Sequence, residues 1–271
     1  MKSLVRWGAT LGLVGSTLVS SFLSSNLRAL ALTETEVITM LQPVPVFTVT
    51  DGNGSPLVAS VPKPGQEETQ QAVAGVFISP QDAQAFVERL KQDKPDLGNQ
   101  VVVQAVSLSD IYQLDQKNEK QSANGSEALD FAFVPRQQQV QLAQQLLVKN
   151  GQPQQQFQGV PLFYAKGGPE KGYLTVKQQD GTQVIPFFFD QGQLEAMVEN
   201  FKRQNPNIAD SVTMEVVPLE NVIDTLETSD NKQLNNIVLV PSQESISFIQ
   251  SLQNSSRQGT PQVPATNTPQ N

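Results

Sequence analysis

The chain contains an internal duplication that fixes much of what it can fold into. Residues 76–114 align without a gap with residues 187–225, at a constant spacing of 111 residues. Phe77 matches Phe188 in this alignment, and the proline that follows each predicted helix is also shared. Similar phrases flank both copies: Val-Pro-Val-Phe at 44–47 and Val-Pro-Leu-Phe at 160–163, then Phe-Val-Pro at 133–135 and Leu-Val-Pro at 239–241. The duplication predicts two copies of one supersecondary unit.

Each copy reads as short strands alternating with amphipathic helices. Ser79 in the first copy and Asp190 in the second are predicted N-caps, and the helices that follow are expected to end before Pro95 and Pro206. The fold class predicted is α/β, of the mixed α+β kind. We expect two pseudo-symmetric repeats of about 110 residues, at 43–149 and 157–252, each a mixed sheet covered by helices. Residues 59–71 and 115–128 are expected to be polar loops.

The two ends of the chain differ from the repeats. Residues 1–31 read as a cleavable secretory signal, with Lys2 and Arg6 at the start, an apolar stretch at 11–23 and Ala-Leu-Ala at 29–31. The alternative is an uncleaved anchor, but glycines, serines and a threonine interrupt the apolar stretch, which makes it a poor membrane span. We therefore expect an exported protein without stable membrane insertion. Residues 253–271 are rich in Pro, Ser, Thr, Asn and Gln and are expected to form a disordered tail.

The composition excludes many kinds of chemistry. The chain has no histidine and no cysteine, so it cannot assemble a Ser-His-Asp triad, a Cys-His pair, a disulfide or a His or Cys metal site. We expect neither enzymatic activity nor a cofactor or bound metal. Without residues 1–31 the chain keeps 15 basic and 26 acidic residues, which argues against binding to nucleic acid or to anionic lipid.

Two weak motifs have ordinary explanations. Ser60 and Lys63 fit the S-x-x-K pattern, but they lie in a Pro- and Gly-containing stretch and not at a buried helix start. Residues 51–54, Asp-Gly-Asn-Gly, resemble the start of a calcium loop, yet Pro62 occupies the place of the bidentate glutamate, so a hairpin turn is the better interpretation.

A pair of carboxylates is the remaining catalytic candidate. Glu88 and Glu199 are matched between the copies and would suffice for glycoside hydrolysis if they lay close together. Each one precedes a lysine by three residues on a predicted helix, Lys91 or Lys202. A surface ion pair is therefore the favoured interpretation.

Phenylalanines carry the strongest remaining signal. The chain has 13 of them, and the run at 187–189 must present rings to both faces of its strand. One interpretation is a strand that is covered on both sides. The other is that matched rings, Phe47 with Phe163 and Phe77 with Phe188, line an apolar groove in each half.

Several phrases together resemble the Tic22-like family, known from the twenty-two-kilodalton component of the translocon at the inner envelope of chloroplasts and from its cyanobacterial relatives. The resemblance spans residues 43–252. The phrases that carry it are VPVFTV at 44–49, GVFIS at 75–79 with DAQ at 82–84, GVPLF at 159–163, IPFFF at 185–189 and IVLVPS at 237–242.

The resemblance implies a protein of the space between two membranes. In plants this is the chloroplast intermembrane space, and in cyanobacteria it is the periplasm or the thylakoid lumen. It further implies a holdase-like chaperone that escorts unfolded precursors, including outer-membrane proteins, alongside components of outer-membrane protein biogenesis. No cofactor, nucleotide or catalytic residue follows from it. The leader looks bacterial and lacks the character of a plastid transit peptide, which favours a cyanobacterial member in the periplasm, the thylakoid lumen or both.

Three functional hypotheses follow. The first is an exported chaperone that binds unfolded precursors through apolar grooves and assists protein transport, with Phe47, Phe77, Phe163 and Phe188 as candidate client-binding residues. The second is an adaptor or scaffold of a translocation machine that does not hold unfolded chains. The third is a carboxylate-dependent hydrolase acting on envelope polysaccharide.

Overall fold

The computed structural model describes residues 10–13, 32–63, 66–122, 129–229 and 231–258. The strands are β1 (Thr10–Leu13), β2 (Pro45–Asp51), β3 (Val58–Lys63), β4 (Gln66–Phe77), β5 (Val101–Ser107), β6 (Leu129–Val134), β7 (Pro161–Gly167), β8 (Gly172–Lys177), β9 (Gln183–Phe188), β10 (Thr213–Pro218) and β11 (Ile237–Val240). The helices are α1 (Glu34–Leu41), α2 (Pro80–Asp93), α3 (Pro95–Gly98), α4 (Leu108–Ser122), α5 (Gln137–Lys149), α6 (Gln191–Gln204), α7 (Leu219–Thr228) and α8 (Gln243–Gln258). Two 3-10 helices cover Pro206–Ser211 and Lys232–Asn236.

The predicted mixed α/β fold class is confirmed, and the two halves pair corresponding strands in the same way. In the first half, β2 pairs with β5 and β4, β4 pairs with β3, and β6 joins β4 in parallel. In the second half, β7 pairs with β10 and β9, β9 pairs with β8, and β11 joins β9 in parallel. Phe47 lies opposite Phe77 in the first sheet, and Phe163 lies opposite Phe188 in the second. The two halves therefore share one scheme of strand pairing.

Most of the predicted helix boundaries are confirmed. The Ser79 hydroxyl accepts a hydrogen bond from the Asp82 N–H at 3.2 Å, and Asp190 caps α6 by accepting from the Gln193 N–H at 3.1 Å. Helix α2 ends at Asp93, before Pro95, and α6 ends at Gln204, before Pro206. Both stops follow from the clash that a proline makes with the helical conformation of the residue before it.

Two expectations about loops are wrong. Residues 59–71, expected to be a polar loop, belong mostly to β3 and β4, which form a hairpin at the sheet edge. Helix α4 continues to Ser122, so the first part of the expected loop 115–128 is helical, and residues 123–128 lie outside the described residues. Backbone pairing and a solvated helix face do not need apolar side chains, so polarity alone misled the prediction.

The predictions for the two ends fall largely outside the described residues. Of the expected signal at 1–31, only β1 is described, and it pairs antiparallel with β8. Helix α8 extends to Gln258 into the expected tail, and residues 259–271 are not described. No helix in the described ranges is both long enough and apolar enough to cross a membrane.

Three apolar clusters hold the fold together, and each sheet lies between two of them. The central cluster joins both halves through α1, α4, α7 and one face of each sheet. The first outer cluster is built from Phe47, Val49, Phe77, Ala83, Val87 and Val101. The second outer cluster is built from Val140, Ala143, Leu146, Phe157, Phe163, Ala165, Leu174, Phe188, Leu194, Val198, Phe201 and Val212. Alternate residues of a strand point to opposite faces, so Val46 enters the central cluster and Phe47 the first outer cluster.

The last helix of each half packs on the sheet of the other half. Helix α5 follows the first half along the chain, yet Val140, Ala143 and Leu146 belong to the second outer cluster. Helix α8 follows the second half, and Phe248 and Ile249 pack against the first outer cluster. The exchange means that neither outer face is covered without a helix from the partner half.

Polar contacts tie the exchanged helices to the helix starts they meet. Glu244 of α8 accepts a hydrogen bond from the Ser79 hydroxyl at 2.7 Å, and Gln139 of α5 donates to Asp190 Oδ2 at 2.8 Å. Arg136 Nη1 lies 3.1 Å from Glu244 and 3.9 Å from Asp190. The Arg136 guanidinium therefore lies between these two contacts of the exchanged helices.

Candidate functional site

The outer face of the first half contains an apolar groove, which we call the Phe77 groove. It has a volume of about 830 Å³ and lies between α2, the hairpin of β3 and β4, and β6. Apolar side chains form most of its lining: Leu57, Val58, Val73, Phe77, Phe86, Leu90, Leu97 and Val134. The Phe77 and Phe86 rings lie 5.5 Å apart in a tilted arrangement at its base.

Two of the large apolar lining residues are exposed. The side chains of Val58 and Leu97 are 44% and 38% exposed. Burying each against a ligand would contribute about 25 cal/mol for every Å² of apolar surface removed from water. The groove therefore offers apolar surface that the fold itself does not use.

Charged side chains stand among the apolar lining of the groove. Arg89 and Lys94 are exposed, whereas Asp82 is half-buried in the first turn of α2. Burial raises the pKa of the Asp82 carboxyl, the Glu244 charge raises this pKa further, and Arg136 lowers it. The charges have both signs, so the groove has no strong preference for a charged ligand.

All four phenylalanines proposed from the sequence are buried. Phe47 and Phe163 are fully buried, and Phe188 is 5% exposed. Phe47 packs edge-to-face on Phe248 of α8, with ring centroids 5.3 Å apart. Phe77 lines the groove. Phe77 is itself only 7% exposed, so all four rings are core residues and offer little surface of their own.

The corresponding place in the second half is filled. The pairing of Ala59 with Val73 matches that of Val176 with Val184, so Leu57 and Val58 correspond to Leu174 and Thr175. Leu174 and Thr175 are each only 1% exposed, with β1 of the expected signal paired beside them at Leu13 and Gly12. The segment before β7 also brings Phe157 into the second outer cluster, whereas α1, the segment before β2, packs into the central cluster.

The sequence prediction missed several groove residues. Phe86 is matched by Met197 on the apolar face of its helix, and the sequence does not distinguish it from a core residue. Val58 begins β3, most of which was expected to be a loop, and Leu97 lies in the short helix α3. Their exposure depends on how α2 and the β3–β4 hairpin are spaced, and no local pattern encodes that spacing.

The other sequence motifs take the ordinary roles that were favoured for them. Residues 51–54 form a turn between β2 and β3, with Asp51 Oδ1 accepting from the Asn53 N–H at 2.9 Å. Lys91 pairs with Glu88 at 2.7 Å on the surface of α2. Glu199 is exposed at the matching place on α6, and Ser60 lies in β3. No group of three or more carboxylates placed to hold a metal ion occurs in the described part of the chain.

Solved structures with similar folds are known. One is Tic22 from Anabaena, described with the words protein transport, which is 31% identical with a TM-score of 0.71. That match covers 81% of this chain and 97% of the Anabaena chain. Tic22 from Plasmodium falciparum is 19% identical with a TM-score of 0.64, covers 81% of this chain and 98% of its own, and shows a shared fold.

The sequence comparisons point to one family. No curated protein gives a significant match. The model of the Tic22-like family matches residues 2–251, which include both sheets and the Phe77 groove. This chain belongs to the Tic22-like family.

Proposed function

We propose that this protein is an exported chaperone that holds unfolded precursor proteins and assists their transport, including that of outer-membrane proteins. The observation that carries the proposal is the Phe77 groove, an open apolar surface with Val58 and Leu97 exposed on it. The description of the Anabaena relative as a protein of protein transport supports it. Holding a client in this way uses buried apolar area and needs no catalytic group.

The setting we propose is the periplasm, the thylakoid lumen or both. The basic and apolar leader at 1–31 supports export, and cell fractionation with antibody detection tests the location. We further propose that the protein works without a cofactor and is not an enzyme, since it has neither histidine nor cysteine.

The test of the chaperone function is suppression of aggregation. Citrate synthase would be unfolded by heat at constant concentration, and light scattering would be followed with increasing amounts of the full chain. We expect scattering to fall strongly at about one chain per client. Scattering that stays unchanged at a several-fold molar excess would exclude the holdase.

An adaptor of a translocation machine is the second candidate, because one face of the molecule is acidic. Helices α1, α4 and α7 and strand β6 together carry nine carboxylates and two lysines. Such a face suits a basic partner protein. Crosslinking in cells followed by identification of the bound proteins separates the candidates: folded machine components favour the adaptor, and unfolded precursors favour the chaperone.

A further inference from the structure

A second opening in the first half lies beside the edge strand β5, and its lining residues differ from those of the Phe77 groove. It has a volume of about 1140 Å³ and runs between β5 and α8. Gln104 and Ala105 line it on the strand side, and Ile246, Ile249, Gln250 and Gln253 line it on the helix side. We call it the β5 groove.

Two residues of β5 have backbone hydrogen-bonding groups that point away from β2, and one of them, Ala105, lines this opening. The Leu108 N–H donates to the Val44 carbonyl at 2.8 Å, which fixes the alternation of bonded pairs between β5 and β2. In an antiparallel ladder the residues between the bonded pairs point their N–H and C=O groups the other way. These residues are Val103 and Ala105. Among the described residues, β2 is the only strand that pairs with β5.

The matching edge in the second half, on β10, is protected. Met214 and Val216 correspond to Val103 and Ala105 at the spacing of 111 residues. Asn150, which follows α5, donates from Nδ2 to the Met214 carbonyl at 2.9 Å. Strand β10 also ends in Pro218, which has no N–H, where β5 has Ser107. Proline and a covering segment are common ways of blocking a sheet edge, and β5 has neither.

The side chains of the exchanged helices explain why one edge is open. Helix α5 places Ala143 against its sheet, whereas α8 has the larger Ile249 at the matching position, 106 residues later. Larger side chains at a packing contact hold a helix farther away. Leu146 of α5 is accordingly 4% exposed, and its counterpart Leu252 is 42% exposed.

We propose that β5 accepts one extended segment of a client polypeptide as an added strand, held between β5 and α8. The free N–H and C=O groups of Val103 and Ala105 would bind the client backbone, and Ile246 and Ile249 would contact alternate client side chains. This proposal rests on the proposed chaperone function, to which it adds a second binding site of a different kind.

The occupant that fits the β5 groove is a single strand with little charge. Asp110 is the one ionisable side chain among the described residues that line it, and Asp110 Oδ2 already accepts from the Ser107 N–H at 3.1 Å. Helix α8 stands along one side of the groove and makes it concave. A lone strand fits this space, whereas a second copy of the chain would bring its own α8 with it. Binding through backbone groups also tolerates many client sequences, as a chaperone requires.

The first experiment uses a synthetic nine-residue peptide of alternating threonine and valine with a lysine at each end. We expect the peptide to slow hydrogen exchange at the Val103 and Ala105 amides by at least about tenfold, because it supplies the missing acceptors. Two further versions of the peptide are N-methylated at alternate residues, one at the odd and one at the even positions, so that each lacks backbone donors along one edge. The version that lacks donors on the edge facing β5 should bind about tenfold more weakly. Unchanged exchange at both amides would overturn the proposal.

Two variants test the site from its two sides. Ala105→Pro removes an outward N–H without removing a bond to β2, and Gln250→Trp fills the groove from α8. Each should weaken peptide binding about tenfold, measured by fluorescence anisotropy, while circular dichroism shows the fold retained. Gln145→Trp, at an exposed glutamine of α5, is the matched control and should bind like the unmodified chain. If Ala105→Pro does not fold, Gln250→Trp decides, and unchanged binding in that variant contradicts the proposal.

The failure of this proposal differs from failure of the chaperone function. If the unmodified chain and Gln250→Trp suppress aggregation equally and bind the peptide equally, β5 is not a client site and the chaperone function stands. If the unmodified chain suppresses no aggregation, the chaperone function is wrong. Protection of Val103 and Ala105 that rises with protein concentration alone, together with a doubled mass, would show that a second copy occupies the edge and would overturn the proposal.

Discussion

The outer faces of the two halves share one strand order and differ in how completely they are covered. In the second half, α5 and α6 cover Phe163 and Phe188, and Phe157, in the segment before β7, packs in the same cluster. In the first half, α2 and α8 leave the Phe77 groove and the β5 groove open. The comparison teaches that a duplicated fold can keep one copy as a packed support while the other copy exposes apolar surface and a sheet edge.

The largest expected difference between the halves concerns their paired aromatic rings. Phe163→Ala should lower the free energy of unfolding by about 4 kcal/mol, because the ring is fully buried and its loss leaves a cavity. Phe77→Ala should cost less, about 3 kcal/mol, because the space left by its buried ring opens into the groove. Guanidinium denaturation measures both. Equal losses would mean that the two faces are packed alike.

The packing of α8 on the sheet of the first half predicts the next largest loss of stability. Phe248→Ala on α8 should cost about 2 kcal/mol of unfolding free energy, because it removes the edge-to-face contact with Phe47 and part of the cover of the first sheet. Ser247→Ala, at the exposed neighbouring residue, is the control and should change stability by less than about 0.5 kcal/mol. A loss in the control as large as in the variant would argue against this packing.

A third prediction separates binding from stability. Val58→Thr combined with Leu97→Gln should reduce suppression of client aggregation about threefold to tenfold, because both changes remove apolar surface from the Phe77 groove. Stability should change by less than about 1 kcal/mol, since both residues are exposed.

The control for this variant has the same two changes in exposed apolar residues away from the groove. Leu114→Gln and Val148→Thr alter residues that are 47% and 49% exposed on α4 and α5. Suppression should stay at the level of the unmodified chain. An equal loss in both double variants would show that general surface apolarity, and not the groove, binds clients.

The smallest expected effect is a pH dependence of stability that arises from Asp115 on α4. Burial raises the pKa of the Asp115 carboxyl, and the charges of Glu119, Asp130 and Glu227 raise it further. Ionising this group therefore costs more in the folded than in the unfolded chain. The penalty is absent below the ordinary value of 3.8 and appears as the pH rises through the raised pKa.

Asp115→Asn removes that penalty. The variant should match the unmodified chain near pH 3.5 and gain at most about 1 kcal/mol at pH 7, because solvent screens a half-buried carboxyl. Asp115→Leu should gain more, since the matching residue of α7 is Leu226, which is fully buried. Denaturation curves at the two pH values measure the difference, and a gain that does not depend on pH would contradict this assignment.

Much of each half could be predicted from the sequence because the signals are local. Ser79 and Asp190 mark helix starts, and Pro95 and Pro206 mark helix ends. Phe187 and Phe188 lie on β9, a strand that is covered on both faces, and Phe189 follows its end. Caps, proline breaks and strand alternation act over a few residues, so a short stretch of sequence reveals them.

The exchange and the open grooves could not be predicted in this way. Nothing local tells α5 to pack on the second sheet, because its apolar stripe would fit either sheet equally well. The sequence placed Phe47, Phe77, Phe163 and Phe188 in one class, and the fold buries all four, with a groove formed only beside Phe77. Which matched face stays open depends on single side chains of a distant helix, such as Ile249 in place of Ala143.

Site-specific photocrosslinking tests most directly whether the Phe77 groove is the client-binding face. A benzophenone side chain would be introduced singly at Val58, at Leu97 and at Val148, which have similar exposures of 44%, 38% and 49%. Each chain would be irradiated with reduced, carboxymethylated α-lactalbumin, a client that cannot fold. Crosslinks at Val58 and Leu97 with little or none at Val148 are the expected result. Equal crosslinking at all three positions, or a stronger product at Val148, would contradict the account.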